Sequence, residues 1–138
     1  MTDEQARKKF LYINRKAPFG TIYALESLEV VLIGAAFEQD VSLALLDDGV
    51  FQLMNNQDAA AAGMKNFSKI YRALGDYEVR KLYVEKDSLD LRGLTTDDLM
   101  PITYEDEEDD YNEKPSLILV DKAEMAKLIA DQDVVLSF

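Results

Sequence analysis

Cysteine, histidine and tryptophan are all missing from this 138-residue chain. Without an imidazole, neither a Ser-His-Asp nor a Cys-His catalytic unit can be built. Zinc sites made from Cys and His are excluded too. Without a thiol the chain has no disulfide, no sulfur nucleophile and no sulfur acceptor of its own. Glycine is sparse: the six lie at positions 20, 34, 49, 63, 75 and 93, so neither a G-x-G-x-x-G loop nor a P-loop can be drawn through them. Long apolar runs are also lacking. The longest, around Val30–Phe37, is far too short to span a bilayer, and Met1–Lys9 is polar and charged, unlike a signal peptide. The expectation is a soluble cytoplasmic protein with no membrane association.

What is present points to a globular chain. Hydrophobic residues make up 48% of the sequence, and a chain of this length buries roughly two-thirds of its unfolded surface around one core. A single domain over residues 1–138 is expected. The formal charge of −12 argues against nucleic acid as a direct partner, because phosphate backbones are bound by basic surfaces. That charge is uneven. Residues 104–114 hold seven acidic side chains and one basic, whereas residues 1–16 hold five basic and two acidic.

Periodicity and turn residues predict alternating strands and helices. Lys9–Asn14 reads as a strand closed by the turn Ala17-Pro18-Phe19-Gly20. Thr21 can cap a helix running to about Phe37. Val41–Leu46 is nearly all apolar, as in a strand buried on both faces of a parallel sheet; Asp47-Asp48-Gly49 ends it, and Val50–Met54 starts a short helix. Residues 55–66 read as a loop. Phe67, Ile70, Tyr71 and Leu74 follow helical spacing, with Gly75 as the stop. Val79–Val84 reads as a third strand, and Asp87–Arg92 as a short helix closed by Gly93. Pro101–Tyr104 and Leu117–Val120 are extended. Asp121 with Glu124 forms a capping box for a helix carrying Met125, Leu128 and Ile129, and Asp133–Phe138 closes the sequence as a strand. This alternation implies an α/β fold, a parallel sheet with helices on both faces. Ligands in such folds sit beyond the carboxyl ends of the strands, here Asn14–Gly20, Asp47–Gly49 and Glu85–Asp87.

Two readings compete at those ends. Asp47 and Asp48, adjacent carboxylates at a strand's end, suit magnesium or an accepted phosphoryl group. The plainer reading has one capping the next helix while the other faces water. A phosphate-handling site usually adds a nearby lysine or serine, and Lys81, on the third strand, lies before its end and does not complete the set. Arg15 and Lys16 form either a seat for an anion or an acidic partner, or a solvated basic turn. Residues 105–113 lack the spaced carboxylates and central glycine of a calcium loop, and are expected to be a solvated, mobile loop. No metal or other cofactor is expected. The segment from Val30 to Phe37 is apolar on every side of its helix, so it is either buried in the monomer or covered by another subunit. An oligomer interface through Leu28, Val31, Leu32, Ala35, Ala36 and Phe37 is the expectation.

Several segments resemble one family. Asn14-Arg15-Lys16-Ala17-Pro18-Phe19-Gly20-Thr21, Leu46-Asp47-Asp48-Gly49-Val50-Phe51-Gln52-Leu53, Leu74-Gly75-Asp76-Tyr77, Leu82-Tyr83-Val84 with Ser88-Leu89, Arg92-Gly93-Leu94, and the terminal Asp133–Phe138 are similar to the DsrE/DsrF sulfur-relay proteins, most of all to the DsrF type of subunit and next to TusC. The resemblance covers nearly the whole chain from Lys9, leaving out the acidic segment. It implies a three-layer α/β/α arrangement around a mainly parallel five-stranded sheet, of flavodoxin-like appearance. It also implies a heterohexamer with DsrE-like and DsrH-like subunits that passes persulfide sulfur between cysteines during sulfur oxidation, with a small DsrC-like carrier protein as exchange partner. In the TusC-type relatives the relay serves tRNA thiolation.

One departure is informative. Family members that carry sulfur hold their cysteine just after the third strand, and alignment on Arg92-Gly93-Leu94 puts Glu85 there. A carboxylate cannot form a persulfide, so no residue of this chain inherits the catalytic role. The expected function is that of a non-catalytic structural subunit of the sulfurtransfer complex.

Overall fold

The computed structural model describes residues 8–15, 31, 39–54, 71 and 74–138. Five parallel strands form one sheet: β1 (Lys9–Asn14), β2 (Asp40–Leu45), β3 (Leu82–Glu85), β6 (Leu117–Val120) and β7 (Val134–Ser137). Their order is β6-β3-β2-β1-β7. Between β3 and β6 the chain makes a separate antiparallel hairpin from β4 (Thr103–Asp106) and β5 (Asn112–Pro115). Two helices are described, α1 (Lys86–Leu91) and α2 (Lys122–Ala130). The α/β class and the parallel five-stranded sheet agree with expectation.

The central strands form because both of their faces are buried. In β1, Tyr12 joins the larger apolar cluster and Leu11 and Ile13 the smaller one on the other face, with Phe10 packed at the margin of the first. Val41, Leu43 and Leu45 of β2 point into the first cluster and Ala44 into the second. This two-sided burial favours parallel, β-branched and aliphatic strands. Each fully buried leucine contributes about 2 kcal/mol of transfer free energy. Val31 and Tyr71, helical and fully buried, pack into the first cluster. Met125, Leu128 and Ile129 of α2 cover the second. The capping box of α2 is formed as its sequence indicates: Glu124 N–H donates to Asp121 Oδ1 at 2.8 Å, and Asp121 N–H to Glu124 Oε1 at 3.2 Å.

Several boundaries differ from expectation by a residue or more, and three differences have a clear physical cause. The third strand starts at Leu82 instead of Val79, because Val79 N–H still bonds back to Leu74 C=O at 3.0 Å after the left-handed Glu78. The expected strand at Pro101–Tyr104 starts at Thr103, since Met100 N–H is taken by Leu53 C=O at 2.7 Å and Ile102 is drawn into the core. The segment expected to be a solvated loop, 105–113, is instead the tip of the β4–β5 hairpin.

That hairpin is tied down by charge and by backbone. Both terminal nitrogens of Arg80 donate to Glu107, at 2.8 and 2.5 Å, and the guanidinium lies 4.9 Å from the Tyr104 ring centroid. Lys114 pairs with Asp106 at 2.8 Å and Asp109 at 3.1 Å. Tyr111 N–H closes the tip onto Asp106 C=O at 2.8 Å. Cross-strand pairing with local counter-ions lets seven carboxylates share a short segment. Sequence pattern missed this because strong charge hides the period-two alternation.

Candidate functional site

The carboxyl ends of β1, β2 and β3 converge on one polar network. At the end of β1, Asn14 is fully buried and Arg15 exposed. The chain turns immediately after β2, and Asp47 adopts a left-handed backbone with φ 52°. A 3-10 turn over Asp47–Leu53 follows. Gly49 passes so close to β1 that a Cβ there would lie 1.9 Å from Asn14 O. A glycine is therefore required by contact rather than by dihedral angle. At the end of β3, Glu85 is the N-cap residue of α1, yet its side chain caps nothing.

Side chains join the three ends. Arg15 Nε donates to Asp47 Oδ2 at 2.9 Å. Arg92 donates through Nε and Nη2 to Asp48 Oδ1 at 3.1 and 3.0 Å, and through Nη1 to Ser88 C=O at 3.1 Å. Asp47 N–H donates to Ser88 Oγ at 2.9 Å, and that hydroxyl donates to Glu85 Oε1 at 2.7 Å. Beneath this layer, Asn14 Nδ2 donates to Tyr71 Oη at 2.9 Å and to Gln52 Oε1 at 3.3 Å, and Tyr71 donates to Gln52 Oε1. Burial pushes the Tyr71 phenol well above its ordinary value. A cavity of about 320 Å³ opens beside Arg15, lined also by Asp47, Ser137 and Phe138.

The strand-end residues singled out from sequence thus split. Arg15, Asp47, Asp48 and Glu85 share one network, whereas Lys16 lies outside the described residues. Each aspartate is committed to an arginine, and among the described residues no group of three carboxylate, Cys or His side chains gathers as a metal site. Each carboxylate has a guanidinium as counter-ion, which reduces the negative charge that the pair offers a divalent cation. Of the expected interface residues, Val31 is fully buried within the chain itself, so its packing partner is the sheet. Leu28, Leu32, Ala35, Ala36 and Phe37 lie outside the described residues. No described helix is long and apolar enough to cross a membrane.

Sequence reasoning passed over Ser88, Arg92, Gln52 and Tyr71 as members of the site. The spacing Glu85, Ser88, Arg92 carried a signal, since i, i+3 and i+4 positions share a face at a helix start. Chemically, the assembled groups are hydroxyls, amides and paired charges. They can orient and hold, but none can bear sulfane sulfur.

Comparison with known proteins fits this architecture. The DsrE/DsrF-like family matches residues 8–138, so the acidic segment expected to stand outside the resemblance falls within the matched span. The intracellular sulfur oxidation protein DsrF of Allochromatium vinosum is 57% identical over 131 residues, covering 95% of this chain and 96% of that protein. A TusC homolog of Pasteurella multocida is 35% identical over 92 residues, 65% of this chain and 77% of the relative. The crystal structure of the ychN protein from E. coli aligns with a TM-score of 0.70 over 96% of this chain and 99% of that one; at 22% identity this likeness concerns the fold alone. The chain belongs to the DsrE/DsrF-like family.

Proposed function

We propose that this chain is a non-catalytic structural subunit of a cytoplasmic persulfide-relay complex acting in intracellular sulfur oxidation. Its partners would be DsrE-like and DsrH-like subunits in a heterohexamer, with a DsrC-like carrier meeting the complex through their cysteines. The observation that carries this reading is Glu85. It stands at the end of β3, where the family resemblance implies the cysteine of sulfur-carrying members, and its carboxylate is hydrogen-bonded to Ser88 in a chain without any thiol. Sulfur must then travel on other chains, and this one supplies shape and contacts. The apolar segment Leu28–Phe37, apart from Val31, is the proposed contact surface.

Sulfur oxidation is favoured over tRNA thiolation by the extent of the similarity: 57% identity over 95% of the chain against 35% over 65%. The test is co-expression with DsrE-like and DsrH-like subunits and measurement of mass in solution. A stable complex containing all three chains is expected. A soluble monomer that ignores both partners would overturn the proposal.

A further inference from the structure

The polar chain at the strand ends runs in one direction only. Asp47 N–H can only donate, so Ser88 Oγ must accept from it. The Ser88 hydroxyl has a single proton, and it goes to Glu85 Oε1 at 2.7 Å. Ser88 is 1% exposed, so its proton has no water to fall back on. Asp47 meanwhile holds a left-handed backbone, uncommon for residues other than glycine though less so for aspartate, and in it the Asp47 N–H points to the Ser88 hydroxyl at 2.9 Å. With its backbone fixed there, its carboxylate meets Arg15 Nε at 2.9 Å along the wall of the 320 Å³ cavity.

We infer that Glu85 is a positioning residue. Through the Ser88 hydroxyl its carboxylate latches Asp47 in the left-handed conformation, and so sets the direction in which Arg15 is presented at the cleft. The role belongs to an oxygen acceptor at a fixed reach, not to negative charge at a helix start. Helix α1 spans Lys86–Leu91, too short for its dipole to matter much. The latch is a property of the chain alone and stands whether or not the relay reading holds.

The two ideas separate in a pair of substitutions. Glu85→Gln keeps an oxygen at the same reach and removes the charge. Glu85→Asp keeps the charge and withdraws the oxygen by one methylene. Ser88→Ala removes the middle of the chain. Amide hydrogen exchange of Asp47 is measured by NMR on the full chain and expressed relative to Leu43, a core amide bonded to Lys81 C=O at 3.0 Å. The Arg15 Nε proton is followed in the same samples. Ser88→Ala is expected to speed Asp47 exchange about tenfold relative to Leu43, the scale of one hydrogen bond lost from a partly buried amide. Glu85→Asp should speed it several-fold, and Glu85→Gln should stay within about twofold of the parent. Both accelerating variants should speed the exchange of Arg15 Nε–H with water and broaden its resonance, which a general loss of stability, normalised by Leu43, would not do. Combining Glu85→Asp with Ser88→Ala should add nothing to Ser88→Ala alone. The inference is overturned if Asp47 exchange is unchanged in Glu85→Asp and Ser88→Ala. It is equally overturned if Glu85→Gln behaves like Ser88→Ala while Glu85→Asp behaves like the parent, since charge would then be what matters.

Discussion

Gly49→Ala is the most demanding test of how the strand ends are packed. The added methyl carbon would sit 1.9 Å from Asn14 O, 2.6 Å from Asn14 C and 3.1 Å from Arg15 N. Ordinary carbon contacts begin near 3.5 Å, so β1 and the 3-10 turn must part by more than about 1 Å. All three atoms are backbone, which cannot rotate aside as a side chain would. Asn14 C=O also accepts Leu46 N–H at 3.2 Å, and the Asn14 side chain is held by Tyr71 and Gln52. Parting the two therefore loses one or two hydrogen bonds, about 1 kcal/mol each, on top of an overpacking cost of about 1–3 kcal/mol. We expect a loss of about 2–5 kcal/mol, a large share of a typical stability of about 5–15 kcal/mol. In urea, with a slope of about 1.5 kcal/mol per molar, the unfolding midpoint followed by circular dichroism should fall by about 1–3 M. Gly93→Ala is the control. There φ is +67° and nothing lies within 4 Å of the added carbon, so only the left-handed penalty of about 1 kcal/mol applies. A Gly49→Ala protein within about 0.5 kcal/mol of the parent, or no worse than Gly93→Ala, would refute the argument.

Four further outcomes are expected. Arg80 holds the Glu107 carboxyl down to about 2 from its ordinary 4.5; a lowered carboxyl stabilises the fold above its ordinary value, so the hairpin's attachment should persist at neutral pH and weaken as pH falls from 4.5 toward 2, read from Tyr104 and Tyr111 resonances, and Arg80→Met should abolish that dependence. Tyr71→Phe should cost about 1–2 kcal/mol in urea unfolding by stripping the hydroxyl shared with Asn14 and Gln52, and ultraviolet titration should find Tyr71 still un-ionised when exposed tyrosines have lost their protons, because burial raises it and its ionisation would oppose folding only at strongly alkaline pH. Ser116 Oγ is buried without a hydrogen-bond partner among the described residues, so Ser116→Ala should leave stability unchanged or raise it by up to about 1 kcal/mol; a loss greater than that would mean the hydroxyl is satisfied. Magnesium titration should give no saturable NMR shifts at Asp47 or Asp48, whose carboxylates face arginines; shifts that vanish on Asp48→Asn would favour the phosphoryl-handling alternative instead.

The sheet was legible in the sequence where burial is two-sided. Lys9–Asn14 and Leu117–Val120 have the bounds that their pattern indicates, and the others shift by a few residues at most. Two of those shifts occur where a backbone group is claimed elsewhere: Met100 by Leu53, remote in sequence, and Val79 by Leu74 across the left-handed Glu78. No local pattern encodes the first of these bonds. The acidic hairpin was hidden for a different reason. Repulsion among its carboxylates argues for a loop until Arg80, remote in sequence, is brought against Glu107. At the site, Arg15, Asp47, Asp48 and Glu85 could be named because strand ends in parallel sheets are predictable places. Their pairing could not. Ser88 was invisible as the link because a serine early in a helix reads as ordinary, and only the left-handed turn at Asp47 brings an N–H to its hydroxyl.

The pairing of β1 with β7 has a consequence for biosynthesis. Lys9 N–H is bonded to the Asp133 side chain across a separation of 124 residues, and β1 carries some of the most buried side chains of the sheet, Leu11 and Tyr12 among them. On the ribosome, at about 5–20 residues per second, the outer edge of β1 stays uncovered for about 6–25 s after it is made. An apolar strand edge left open that long can pair wrongly with any other extended chain. The newly made protein should therefore be most prone to aggregation before Val134–Ser137 emerges and pairs with β1.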